Sequence, residues 1–323
     1  MLTPRRLGKA DVEVSPIGLG TWQFSGGRGL NAGYWGKVPQ ETVNEIVKAS
    51  LDGGIDWFDT AEAYGWGKSE QALARALRAA GKEPGSVRVA TKWWPALRRA
   101  SHLRRTIDRR LGALDGFPID LYQVHQPLSL SSVERQMNAM ADLVGEKKIR
   151  TVGVSNFSAK AMRRAHAALG ARGIPLAANQ VQYNLLDRRI ETNGILAAAK
   201  ELGITIIAYS PLAQGVLTGR FHEDPARVQL LRVPRRWRGV FRTKGLAASR
   251  PLVDELRSIA AAHGVSPAQV ALRWLVTFHG DTVVAIPGAT KKIHVADNVG
   301  AMRLELTATE SARLDELSRA YLG

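Results

Sequence analysis

The chain has 323 residues, 45% of them apolar, and sets 45 Lys and Arg against 29 Asp and Glu for a formal net charge of +16. It contains no cysteine, which excludes disulfides, thiolate nucleophiles and Cys-ligated metals. There is no apolar run of about 18 residues and no charged, apolar, small-residue signal at the N-terminus, so the expectation is a soluble, cytoplasmic protein without a membrane partner.

The basic excess invites a nucleic-acid reading, but the charge is scattered and no aromatic-and-basic motif accompanies it. Arg98, Arg99, Arg104, Arg105, Arg109 and Arg110 follow one predicted helix and read as a solvated face. Arg232, Arg235, Arg236, Arg238, Arg242 and Lys244 crowd one long loop, where a small anion such as a cofactor phosphate competes with plain solvation.

In chain order, Arg5 to Val14 predicts a short hairpin turning at Gly8 to Asp11. The first buried run is Ile17 to Gly20. Further apolar runs follow at Ile55 to Phe58, Val87 to Ala90, Ile119 to Val124, Ile149 to Val154, Ala177 to Gln182, Ile204 to Tyr209 and Thr282 to Ile286. Helical spacing fills the intervals, with Ser69, Ser101, Ser132 and Ser158 as expected caps and Ser266-Pro267 opening a helix through Trp274. Eight strands alternating with helices, each strand a continuous apolar run, predict parallel pairing and an α/β fold of the (β/α)8 TIM barrel type, a single domain over residues 1 to 323. Phe24 to Pro39 and Leu212 to Arg250 read as long loops at the barrel's C-terminal face.

Active sites of such barrels lie at the carboxyl ends of the strands, and polar residues collect there. Asp59 and Tyr64 follow the second predicted strand, Lys92 the third and His125 the fourth. Each alone has a bland reading as surface, loop or packing residue; their convergence at one end of three successive strands favours a site.

These residues sit in segments that resemble the aldo-keto reductases over nearly the whole chain. The matches are Gly54-Ile55-Asp56-Trp57-Phe58-Asp59-Thr60-Ala61 with Tyr64-Gly65, Thr91-Lys92, Asp120-Leu121-Tyr122-Gln123-Val124-His125, Gly153-Val154-Ser155-Asn156-Phe157, Asn179-Gln180-Val181-Gln182-Tyr183-Asn184, Tyr209-Ser210-Pro211-Leu212 and Ile286-Pro287-Gly288. The resemblance implies NADP(H)-dependent reduction of a small carbonyl compound, with Asp59, Tyr64, Lys92 and His125 as the catalytic set and no metal. It implies a coenzyme cradle of Thr21, Trp22, Ser155, Asn156, Gln180, Tyr209, Ser210, Pro211, Leu212, Gly215, Ile286, Gly288, Lys291 and Asn298. Many relatives carry Lys-Ser and a later Arg where this chain has Gly288, Ala289 and His294, so Lys291 and Lys292 are the candidates for an adenosine 2′-phosphate; NADPH is expected over NADH. Trp22, Trp93 and Trp94 are the expected substrate walls, with Trp35 and Trp66 in flanking loops and Trp57 a packing residue. The alternative is a cofactor-binding regulatory or redox-sensing subunit resembling the potassium-channel β subunits. Gly27-Arg28-Gly29-Leu30-Asn31-Ala32 matches a dinucleotide-binding pattern but lacks its strand and helix and is rejected.

Overall fold

The structure is a computed structural model and describes residues 2–27 and 33–323, so the rejected glycine-rich pattern lies, apart from Gly27, outside the described residues. The hairpin forms as expected from β1 (Arg5–Arg6) and β2 (Glu13–Val14), antiparallel, with Leu7 N–H closing the turn on Val12 O at 2.8 Å.

Eight parallel strands follow: β3 (Leu19–Gly20), β4 (Trp57–Asp59), β5 (Arg88–Trp93), β6 (Leu121–Val124), β7 (Thr151–Ser155), β8 (Leu176–Gln182), β9 (Thr205–Tyr209) and β10 (Val283–Ala285). Each pairs with its sequence neighbour, and Ile17 with Ala285 and Gly20 with Gly288 bridge in parallel, which closes first strand on last. The strands are short and buried on both faces, which is why each reads as an unbroken apolar run.

The helices are α1 (Gln40–Asp52), α2 (Lys68–Ala79), α3 (Ser101–Ala113), α4 (Val133–Gly145), α5 (Ala159–Gly170), α6 (Ile195–Leu202), α7 (Arg220–Glu223), α8 (Val233–Arg236), α9 (Thr243–His263), α10 (Pro267–Thr277), α11 (Lys292–Arg303) and α12 (Ala308–Ser318). Ser132, Ser158 and Ser266 cap α4, α5 and α10 through their hydroxyls, as the sequence predicts. Ser69 and Ser101 do not cap. Ser69 is buried inside the first turn of α2, and its hydroxyl is drawn instead to Thr21 O at 2.7 Å and the Thr60 hydroxyl at 3.0 Å. Ser101 is the first residue of α3, after Ala100, and makes no cap bond. The stretch from Leu212 to Arg250 is also not structureless: it winds through α7, α8 and short 3-10 turns, and α9 begins at Thr243.

Two apolar clusters result. Strand and helix side chains form the large outer one. Inside the barrel, Leu7, Val12 and Val14 of the hairpin pack on Trp57, Leu121, Ile207 and Val284, so the hairpin plugs the N-terminal end. Each such side chain stabilises the fold by roughly 1.5–3 kcal/mol. Trp57 donates to Ser15 O at 2.9 Å, the packing role expected of it. With that end filled, the C-terminal mouth is where a cavity opens.

Candidate active site

Asp59 ends β4, Lys92 lies on β5, and His125 follows β6, while Tyr64 stands in the turn between β4 and α2. Parallel register brings them to one end: Asp59 pairs with Ala90, and Lys92 with Gln123. The Lys92 ammonium donates to Asp59 Oδ1, to Thr60 O at 2.8 Å and to the Tyr64 hydroxyl at 3.4 Å, and stands 4.9 Å from the Tyr64 ring centroid. Asp59 Oδ2 accepts from Gln123 at 3.2 Å and Gln180 at 2.9 Å. Lys92 is 0% and Asp59 1% exposed, so both charges rely on each other and on these bonds.

Strand alternation decides which β5 residues take part. Lys92 faces into the barrel, so Thr91 and Trp93 face the helices. Thr91 donates to Glu70 of α2 at 2.7 Å, and Trp93 is fully buried in the outer core, donating to His102 at 3.1 Å. Trp93 is therefore not a substrate wall, a correction that follows from its being one residue from Lys92. Trp22, Trp35 and Trp94 do line the cavity; Trp66 is exposed under Arg98 and is not part of the lining. Arg110, expected on a solvated face, is instead buried against the Glu70 carboxylate.

Burial raises the Tyr64 phenol above its ordinary value, and the Lys92 cation offsets only part of that. Burial opposes the Lys92 charge, but Asp59 and Tyr64 outweigh it and hold the ammonium above the usual lysine value. Burial, reinforced by Lys92, holds the His125 imidazole well below its ordinary range, so the ring is neutral. His125 meets the Tyr64 and Trp94 rings edge-on at 5.6 and 5.4 Å between centroids, and among the described residues its Nδ1 has no partner.

The cavity at this mouth has a volume of about 750 Å³. Thr21, Trp22, Ser155, Asn156, Gln180, Tyr209, Ser210, Pro211, Leu212, Gly215, Ile286, Gly288, Lys291 and Asn298 all border it, which brings the whole expected cradle to one cavity. Asn156, at φ 62°, donates to His125 O at 3.2 Å and accepts from the Tyr209 hydroxyl at 3.0 Å. The Gly215 N–H is committed to Leu212 O at 2.8 Å, so this glycine offers space and not a donor. A Cβ there would come within 3.0 Å of the Arg220 guanidinium, and one at Gly288 within 2.3 Å of the Gln23 amide. Among the described residues, Asn298 Nδ2 and Arg220 Nε are buried without partners. His294 accepts from Thr290 N–H at 3.2 Å beside Lys291.

The sequence alone assigns none of the following contacts around the cavity. Gln123 lies inside a quoted segment, but only the three-dimensional contact reveals that it holds Asp59. Tyr34 stacks on Trp22 at 4.7 Å and donates to Gln214, joining the loop after β3 to the loop after β9. Arg235 completes that junction by donating to Gln214 O and lying 4.3 Å over the Trp35 ring. Arg220 follows a Thr-Gly pair that marks a turn but nothing more.

The Tyr–Lys–Asp–His set at the C-terminal mouth of a closed (β/α)8 barrel, beside a large cavity, together with the chain's family match, places it among the NAD(P)H-dependent oxidoreductases. The aldo/keto reductase family model matches residues 16–319, and the chain belongs to that family. It is 38% identical over 320 residues to an uncharacterized oxidoreductase of Mycobacterium tuberculosis, covering 96% of this chain and 91% of the relative. It is 30% identical to the probable aldo-keto reductase 1 of Glycine max, over 98% of this chain and 88% of that one. Among solved structures it resembles the glycerol dehydrogenase of Gluconobacter oxydans, with TM-score 0.80, 28% identity and coverage of 99% and 96%. It also resembles a Klebsiella pneumoniae aldo/keto reductase in complex with NADP and acetate, with TM-score 0.73, 28% identity and coverage of 99% and 96%. No helix of the described residues is long and apolar enough to cross a membrane.

Proposed function

We propose that this chain reduces an aldehyde or ketone to the alcohol, reversibly, with NADPH preferred over NADH and Tyr64 as the proton donor. The observation that carries the reading is the Lys92 ammonium, fully buried, clamped by Asp59 and within hydrogen-bond reach of the Tyr64 hydroxyl.

The bound coenzyme supplies the hydride. Tyr64, kept protonated at neutral pH by its burial, gives its proton to the substrate oxygen, and Lys92 stabilises the phenolate left behind. Asp59 keeps Lys92 charged and aimed. Neutral His125 donates an N–H to the same oxygen and fixes the carbonyl against Tyr64.

For the nicotinamide end, Ser155, Asn156 and Gln180 offer both donors and acceptors, though the Asn156 and Gln180 amides exchange present bonds to do so. The Tyr209 ring is the stacking face. Arg220 with the Ser210 to Gly215 turn suits the pyrophosphate, and its unpartnered buried Nε fits an anion. Thr21, Trp22, Pro211, Leu212, Ile286 and Gly288 shape the groove, and Asn298, whose Nδ2 lacks a partner, suits the adenine. Lys291 is the 2′-phosphate residue. The loop carrying Arg235 orders further over the coenzyme, which protease protection near Arg235 to Lys244 with and without NADPH tests: no difference sinks the lid. Trp22 and Trp94 are the walls of the substrate space and suit flat or apolar carbonyl compounds.

The experiment is loss of NADPH absorbance on adding an aromatic aldehyde to the purified protein. Turnover supports the reading; absence of turnover across a screen of aldehydes and ketones overturns it.

A further inference from the structure

Beside the main cavity lies a second cleft of about 390 Å³, and Gln182, Ser210, Gln214 and Arg238 border both. Two arginines reach this cleft, and they differ. Arg189 is engaged twice by the Asp187 carboxylate, at 2.8 Å each, so that pair is neutral. Arg238 is exposed and, among the described residues, has one side-chain hydrogen bond, to the Tyr34 hydroxyl at 3.4 Å, and no carboxylate in salt-bridge reach. Arg235, three positions earlier, is committed in the opposite sense: buried, bonded to Gln214 O and covered by Trp35 and Phe241.

An aromatic stack connects this guanidinium's partner to the reacting centre. Its partner Tyr34 stacks on Trp22 at 4.7 Å, and Trp22 on Tyr64 at 6.1 Å, so two aromatic layers separate Arg238 from the proton donor. A molecule whose carbonyl meets Tyr64 and His125 thus passes along Trp22 before it reaches Arg238. We propose that Arg238 binds an anionic group of the substrate, so that the preferred carbonyl compound carries a carboxylate several bonds from its reacting carbon. This rests on the carbonyl-reductase reading above and narrows it to acidic aldehydes or ketones, such as an aromatic aldehyde with a carboxylate across the ring. Guanidinium suits that role because it meets a carboxylate with two parallel N–H bonds.

The test compares 4-carboxybenzaldehyde with its neutral methyl ester, methyl 4-formylbenzoate, in the wild type and in Arg238→Ala and Arg238→Lys. The wild type should favour the acid by about tenfold in kcat/KM, carried by KM and weakened by salt. Arg238→Ala should abolish that preference by lowering acid turnover far more than ester turnover, the remaining ester turnover showing that the variant is folded, and Arg238→Lys should retain part of it. NADPH affinity by fluorescence titration should fall by less than acid turnover in both, which separates a substrate contact from a coenzyme contact. Equal use of the two aldehydes by the wild type, a preference that survives Arg238→Ala, or an NADPH affinity that falls as far as acid turnover does would each overturn the proposal. Turnover of the ester without preference defeats this proposal alone. Turnover of neither aldehyde by any form defeats the reductase reading as well.

Discussion

Gln180 donates its side-chain amide to the Asp59 carboxylate at 2.9 Å, across 121 residues of chain and from the opposite side of the barrel, β8 against β4. The carboxylate that holds Lys92 is therefore itself held by the closure of the sheet. Local sequence supplies the acid; barrel geometry aims it.

The first prediction follows from that pair. Asp59→Asn leaves an ammonium at 0% exposure with no counter-charge, which should cost about 3–5 kcal/mol of stability. Urea unfolding measures it. Adding Lys92→Met should recover part of the loss, because the stranded charge is then gone; two losses that simply add would show that the residues do not act as a pair.

Tyr64→Phe removes one oxygen and little volume. Carbonyl reduction should fall by about 10²–10⁴-fold while NADPH binds as before, read by absorbance and by fluorescence titration. Unimpaired turnover would mean that another group gives the proton.

Behind the site, burial pushes the Glu70 carboxyl up to about 7, against Arg110 and the Thr91 hydroxyl, which favour its charge. Its ordinary value is 4.5, so between the two the folded state holds the extra proton. That contribution is complete below pH 4.5 and is lost as pH rises through 7. Relative to the wild type, Glu70→Gln should therefore gain about 3 kcal/mol in unfolding free energy between those pH values. A difference that does not change with pH would mean that Arg110 keeps Glu70 ionised throughout.

Lys291 borders the cavity next to His294, whose Nδ1 already accepts from Thr290. Lys291→Ala should weaken NADPH by about tenfold, one charge-assisted contact, and leave NADH unchanged. Unaltered NADPH binding would remove Lys291 from the phosphate site.

The eight strands were legible because each is short and buried on both faces, which leaves an uninterrupted apolar run in the chain. The caps were half legible. Ser132, Ser158 and Ser266 obey the local rule, while Ser69 was claimed by Thr21 and Thr60, partners distant in sequence. Trp93 was misplaced because adjacency to Lys92 was read as proximity to the cavity, and alternation along β5 turns it to the other face.

By itself the sequence determined the alternation of strand and helix and that Asp59, Tyr64, Lys92 and His125 collect at one end of the strands, since both are carried by spacing over a few residues. β5, however, runs on to Trp93 and so contains Lys92, where the apolar run had stopped at Ala90. Only the tertiary structure decided that Gln123 and Gln180 share Asp59, that Tyr34 and Gln214 meet beside the cavity, and that Arg110 is buried on Glu70 while Arg238, among the described residues, meets no acid. Those are contacts between residues tens to nearly two hundred positions apart. Barrel closure brings them together, and no local periodicity encodes them.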